Sequence, residues 1–162
     1  MRTREIKIQD VMTMNPDWCL SESSATQAAR IMKDTNVGIV PIVDSDSGRK
    51  LIGVVTDRDL CLAVVATGKN PDSVRVAEAM TSQLVTCQPD DDIRKATHLM
   101  QGNQVRRVPV VDRNGVLQGM VSTADILQRA NLSASLTHET MKEVTKPTDE
   151  ESRSRTRMKH AA

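Results

Sequence analysis

The feature that most constrains this chain is that it repeats itself. Shifted by 68 positions, residues 11–44 fall on residues 79–112 without a gap. Met12 meets Met80, Thr13 meets Thr81, Cys19 meets Cys87, Ala28 meets Ala96 and Met32 meets Met100. Val40, Pro41, Val43 and Asp44 meet Val108, Pro109, Val111 and Asp112. The offset then falls to 66, so that Leu51, Gly53, Val55 and Asp59 meet Leu117, Gly119, Val121 and Asp125. The first copy therefore carries two extra residues in the loop Ser45–Lys50. Matches in this order point to a duplicated structural unit. One copy, about 60 residues, is marginal as an independent fold. The two copies, residues 8–68 and 76–130, are expected to pack by pseudo-twofold symmetry around one shared core.

Each copy reads as β-α-β-β-α, an α/β (α+β) unit. A short strand is expected at Asp17–Cys19 and at Leu84–Cys87. An amphipathic helix follows, with Ala25, Ala28 and Met32 on its apolar stripe, or Ile93, Ala96 and Met100. Ser21–Ser24 and the run Pro89–Asp92 supply N-terminal caps, and Gly102 is the expected stop of the second copy's helix. The β-branched runs Val37–Val43 and Leu51–Thr56, with their partners Val105–Val111 and Val116–Val121, read as hairpins around polar turns. A second helix begins near Asp57 and near Thr123. Gly68 ends the first of these, and Lys69–Ser73 is the linker. In the tail, residues 131–162, a helix near Leu136–Val144 precedes a polar stretch. That stretch reads as a solvated, disordered end, with a weak nucleic-acid or partner contact as the alternative.

Composition removes several function classes. The 22 basic and 21 acidic residues nearly balance, which argues against a domain built to grip nucleic acid through counterion release. Trp18 is the only aromatic residue, so bases cannot be stacked on an aromatic platform. No apolar run approaches the ~18 residues of a membrane span, and the polar start Met1–Glu5 leads us to expect an intracellular protein. Cys19, Cys61 and Cys87 form no C-x-x-C pair and no even-numbered disulfide set. Core packing is the expected role of Cys19 and Cys87. Neither a metal site nor a nucleophile–base pair is visible. His98 has no partner at ligand spacing, and His138 and His160 lie in the tail. We therefore expect no catalysis, no metal and no required cofactor.

The most informative segments are Gly53–Asp59 and Gly119–Asp125. Each places a hydroxyl, Thr56 or Ser122, three residues before an acid, Asp59 or Asp125, at a strand-to-helix junction. Backbone amides at a helix start favour phosphate, and an acid there can accept two hydrogen bonds from a ribose diol. Hydroxyl and acid together suit a ribose phosphate. The alternative is that both residues merely cap their helices. Occurrence at equivalent places in both copies favours the ligand reading.

On these residues the sequence resembles a tandem pair of CBS domains, a Bateman module. The matching motifs are Asp10-Val-Met-Thr13, Val40-Pro-Ile-Val-Asp44 and Gly53–Asp59, then Glu78-Ala-Met-Thr81, Val108-Pro-Val-Val-Asp112 and Gly119–Asp125. The resemblance covers residues 8–130. It implies repeats packed through their sheets, two clefts that take AMP, ADP, ATP, S-adenosylmethionine or a related adenosyl ligand, and a regulatory role. It also implies a homodimer paired through helices, here 23–35, 57–67, 91–101 and 123–130, which include Ala28, Ala29, Met32, Ala63 and Met100. A separate effector protein would receive the signal. The other class of function kept open is an interaction module for protein or nucleic acid, with degenerate clefts.

Carried over residue by residue, the resemblance implies two sites. In one, Asp125 holds ribose and Ser122 meets phosphate, with Ile8, Met12, Val37 and Gly38 near the base and Arg106 near the phosphate. In the other, Asp59 and Thr56 take those parts, with Val76, Met80, Val105 and Arg106 near the base and Arg58 and Arg107 supplying charge. Gly38 aligns with Arg106, so the sites are expected to be unequal, with the Asp125 site favoured for a monophosphate.

Overall fold

A computed structural model describes residues 6–129 of the chain; the expected tail helix and the tail histidines lie outside them. The element order is β1 (Thr13–Met14), β2 (Cys19–Leu20), α1 (Ala25–Thr35), β3 (Ile39–Val43), β4 (Leu51–Thr56), α2 (Asp57–Leu60), α3 (Ile93–Asn103), β5 (Arg107–Val111), β6 (Leu117–Ser122) and α4 (Thr123–Arg129). The chain is thus mixed α/β, with two three-stranded sheets in the orders β2-β3-β4 and β1-β6-β5.

Local chemistry explains most boundaries. Ser24 caps α1, its hydroxyl accepting the Gln27 N–H at 3.2 Å while Gln27 Oε1 accepts the Ser24 N–H. Asp92 caps α3 by accepting the Arg94 N–H. Both helices bury the expected stripes: Ala25, Ala28 and Met32 in α1, and Ile93, Ala96 and Met100 in α3. Gly102 is not the stop. It lies inside α3, and Gln104 takes the left-handed cap at φ 53°, as Asn36 does after α1 at φ 55°. Equivalent positions end both helices the same way, although neither is glycine. Strands β4 and β6 run straight into α2 and α4. Beyond Leu60 the backbone widens into a π-turn over Cys61–Val65, which has no counterpart in the described part of α4.

Tertiary pairing crosses the halves. Strand β1 precedes the first copy's helix, yet it pairs antiparallel with β6 of the second copy, Thr13 facing Met120 and Met14 facing Gly119. The Ile8 N–H donates to the Asp91 carbonyl and the Ile93 N–H to the Ile6 carbonyl, each bond closing the same crossing. The mirror arrangement holds for the linker. The Val76 N–H donates to the Ser23 carbonyl, and Thr81 and Val54 exchange backbone bonds of 2.8 and 3.1 Å. Each copy's entry segment therefore completes the other copy.

The core follows this exchange. Ile8, Val11 and Met12 pack with Cys87, Ile93, Met100, Val108, Val121 and Ile126. Val74 and Val76 pack with Cys19, Ala28, Val40, Ile42 and Val55, with Met80 alongside. A third cluster, Val43, Leu51, Val111 and Leu117 with Trp18, Leu20 and Leu84 against it, joins the two sheets. The expected single core is thus two interlocked cores and a bridge. Trp18 holds the longer first-copy loop: its Nε1–H donates to Asp46 and Arg49 stacks 5.5 Å from the ring centroid. Cys19 and Cys87 are buried core residues, and burial pushes the Cys87 thiol up to about 12. A buried thiol held protonated is a packing residue with little nucleophilic character. Among the described residues no helix is long and apolar enough to cross a membrane, and no cluster of His, Cys, Asp and Glu could hold a metal.

Candidate ligand site

The two strand-to-helix junctions are built alike. At the first, the Asp59 N–H donates to Thr56 Oγ1, while Asp59 Oδ2 accepts from the Thr56 N–H at 2.9 Å and the Thr56 hydroxyl at 2.7 Å. At the second, Asp125 Oδ2 accepts from the Ser122 N–H at 2.9 Å and its hydroxyl at 2.6 Å, and the Asp125 N–H returns to Ser122 Oγ at 3.1 Å. Both pairs are capping boxes, so the capping alternative describes their geometry. It leaves room for more: Oδ2 accepts both bonds in each pair, and Oδ1 stays outside the arrangement. All four residues are half-buried, and each pair lines a cavity.

The Asp59 cavity measures about 570 Å³. Of the expected residues it gathers Thr56, Asp59, Arg58, Val105 and Arg107. The Asp125 cavity measures about 320 Å³ and gathers Ser122, Asp125 and Val37. Both volumes fall within the usual range for small-molecule sites, about 300–1,000 Å³.

Several placements differ from expectation. Ile8 and Met12 do not line the Asp125 cavity, and Val76 and Met80 do not line the Asp59 cavity. Ile8, Met12 and Val76 are core residues, and Met80 packs against the core with its Sδ over Gly53. The entry segments reach the cavities a few residues later, through Thr13, Asn15, Pro16 and Asp17 in one and Thr81, Gln83, Leu84 and Val85 in the other. These are equivalent positions at the 68-residue offset, so the repeat itself was the signal that could have found them. Gly38, expected at the Asp125 site, lines the Asp59 cavity, and Arg106, expected near both, lines the Asp59 cavity and not the other. Gly38 is held there because its carbonyl accepts the Asp57 N–H, and a Cβ on it would stand 3.0 Å from Asp57 Oδ2. The expected advantage of the Asp125 site for a monophosphate loses its two supporting residues. Ile39 and Arg107, equivalent to each other, line both cavities and so stand between them.

Two repeats that exchange their entry segments around twin clefts define a paired-repeat cleft module. The chain belongs to the CBS-domain family, whose model matches residues 8–66 and 76–131. It is 42% identical over 120 residues to the uncharacterized protein YlbB of Bacillus subtilis, covering 74% of this chain and 79% of that one. Among solved structures it resembles the CBS domain pair of protein MJ0100 in complex with 5′-methylthioadenosine and S-adenosyl-L-methionine. The TM-score is 0.68 at 28% identity, covering 76% of this chain and 94% of that chain. It also resembles CBSX2 in complex with AMP, with a TM-score of 0.65 at 25% identity over 76% of this chain and 95% of that chain.

Proposed function

We propose that the chain is a regulatory module that binds an adenosine ligand in its clefts and signals to a separate effector protein. The observation that carries this reading is the hydroxyl–carboxylate pair repeated at both cavities. In each pair one carboxylate oxygen is left over to accept a ribose hydroxyl. The adenosine ligands in the complexes of MJ0100 and CBSX2 support it. The walls are aliphatic, with Val54, Val85 and Val105 in one cavity and Ile31, Val37 and Met120 in the other. Such walls suit an adenine ring clamped without aromatic stacking. The three free thiols, one of them exposed at Cys61, fit a reducing compartment inside the cell.

The test is the melting temperature of ligand-free protein with millimolar AMP, ADP, ATP, NAD and S-adenosylmethionine. A ligand at 100 times its dissociation constant adds about 2.7 kcal/mol of stability. Absence of a shift with every one of them would discard the reading.

A homodimer belongs to the same proposal. Ala28, Met32 and Met100 are used up in the core, but Leu62 and Val65 are 54% and 74% exposed. Ala25, Ala29, Leu60, Val64 and Pro71 line an open apolar hollow between α1 and the π-turn. Exposed apolar surface of this kind marks an interface. Sedimentation at micromolar concentration is expected to show twice the 17.8 kDa chain mass; a lone monomer would contradict the assignment.

A further inference from the structure

The copies are alike in backbone, so the chemical differences between the cavities sit at a few equivalent positions. Four of these differences carry charge; three act in one direction, and the fourth, Asp57 against Thr123, opposes them in part. Arg58 lines the Asp59 cavity, and its equivalent is Ala124. Arg106 lines the same cavity, and its equivalent is Gly38. Asp17 lines the Asp125 cavity, and its equivalent in the other is Val85. The Asp59 cavity is thus lined by Arg58, Arg106 and Arg107 against Asp57 and Asp59. Among the described residues the Asp125 cavity is lined by Arg107 alone against Asp17 and Asp125. The formal sums are +1 and −1, and the cationic cavity is also the larger, about 570 against 320 Å³.

The acids differ in availability as well. Asp57 Oδ1 already accepts the Arg58 N–H at 2.7 Å. Asp17 is exposed and makes no hydrogen bond or ion pair among the described residues. A phosphate chain in the smaller cavity would face this carboxylate with only Arg107 to offset it, whereas a cationic substituent would find a partner in it.

We infer that the two cavities divide adenosine ligands by charge. The Asp59 cavity takes a nucleoside polyphosphate, and the Asp125 cavity takes a nucleoside whose 5′ substituent is neutral or cationic. The inference rests on the adenosine reading above and adds which ligand class each cavity accepts. Charge-assisted bonds from arginine to phosphate supply the selectivity on one side. On the other side, repulsion of a phosphate by Asp17 rejects the wrong ligand.

The experiment is calorimetry of the full chain with ATP, S-adenosylmethionine and AMP. Two exposed positions that cap no helix and fill no core, Arg106 and Asp17, carry the variants. In the unaltered protein ATP and S-adenosylmethionine are expected to bind together, one of each per chain, without competing. Arg106→Glu is expected to weaken ATP by roughly tenfold or more, the scale of a lost charge-assisted bond, and to leave S-adenosylmethionine within about twofold. Asp17→Arg is expected to weaken S-adenosylmethionine and to open a second ATP site. Raising salt should weaken ATP more than S-adenosylmethionine. Competition between the two ligands for one cavity, or an equal loss of both in Arg106→Glu, overturns the division by charge while the adenosine reading stands. Failure of all three ligands to bind overturns both.

Discussion

Replacing Ile8 with alanine is expected to destabilise the protein by about 2–5 kcal/mol, the usual range for truncating a fully buried isoleucine. The expected location of the damage is the more informative part. Ile8 is fully buried, and it packs with Ile93, Met100, Val121 and Ile126, all residues of the second copy. Opening should therefore be promoted first in residues 93–129, although Ile8 stands more than 80 positions before Ile93 along the chain. Val76→Ala should do the reverse, since Val76 packs with Cys19, Ala28, Val40 and Val55. Chemical denaturation gives the cost, and native-state hydrogen exchange gives the place. A cost below about 1 kcal/mol for Ile8→Ala, or protection lost first from residues 25–60, would show that the entry segments are not exchanged.

The second large effect is expected at Gly119. A Cβ there would stand 2.7 Å from the Thr13 carbonyl oxygen and 2.8 Å from Met12 Sδ. Met12 can turn aside, but the Thr13 carbonyl belongs to the β1–β6 pair and cannot move without parting the strands. Gly119→Ala should cost about 3 kcal/mol, the upper end for overpacking. At the equivalent Gly53 the nearest atom is Met80 Sδ at 2.6 Å, and the backbone oxygen of Thr81 lies farther off at 3.3 Å. There a flexible side chain gives way, and Gly53→Ala should cost about 1 kcal/mol. Paired melts of the two variants compare the costs directly. Equal costs would mean that the exchange at β1 yields as readily as the linker does.

Both effects arise from the part of the structure that local sequence reading does not reach. The duplication, the apolar stripes of α1 and α3, and the starts of α2 and α4 at Asp57 and Thr123 were legible because they follow local rules. These are a helical period, a polar turn between β-branched runs, and a hydroxyl placed before an acid. The caps Ser24 and Asp92 were legible for the same reason. Gly102 misled because a glycine near a helix end looks like a stop, whereas Gln104 took the left-handed cap two residues later. That choice is fixed by where Val105 must turn toward its strand, with its N–H bonded to the Met100 carbonyl.

The candidate sites divide along the same line. The pairs Thr56–Asp59 and Ser122–Asp125 could be read from spacing, since three residues bring a side chain back onto the first turn of its helix. Which wall each remaining residue joins could not. Val37, Gly38 and Ile39 are consecutive, yet Val37 lines only the Asp125 cavity, Gly38 only the Asp59 cavity and Ile39 both. Gly38 is a bend just ahead of β3 and carries no side chain, so where the backbone turns there, rather than strand alternation, decides the wall each residue joins. The face each presents is set by pairing with strands and entry segments from the other half. By itself the sequence determined the repeat, most of its elements and the acid of each cleft; the strand expected at Leu84–Cys87 is reduced to a single bridge from Cys87 to Val110. The tertiary structure alone decided that Ile8 and Met12 serve the core, that Asp17 stands in one cavity, and that Arg106 stands in the other. The physical reason is that contacts between residues far apart along the chain depend on which backbone groups find partners across the halves, and no local pattern encodes that choice.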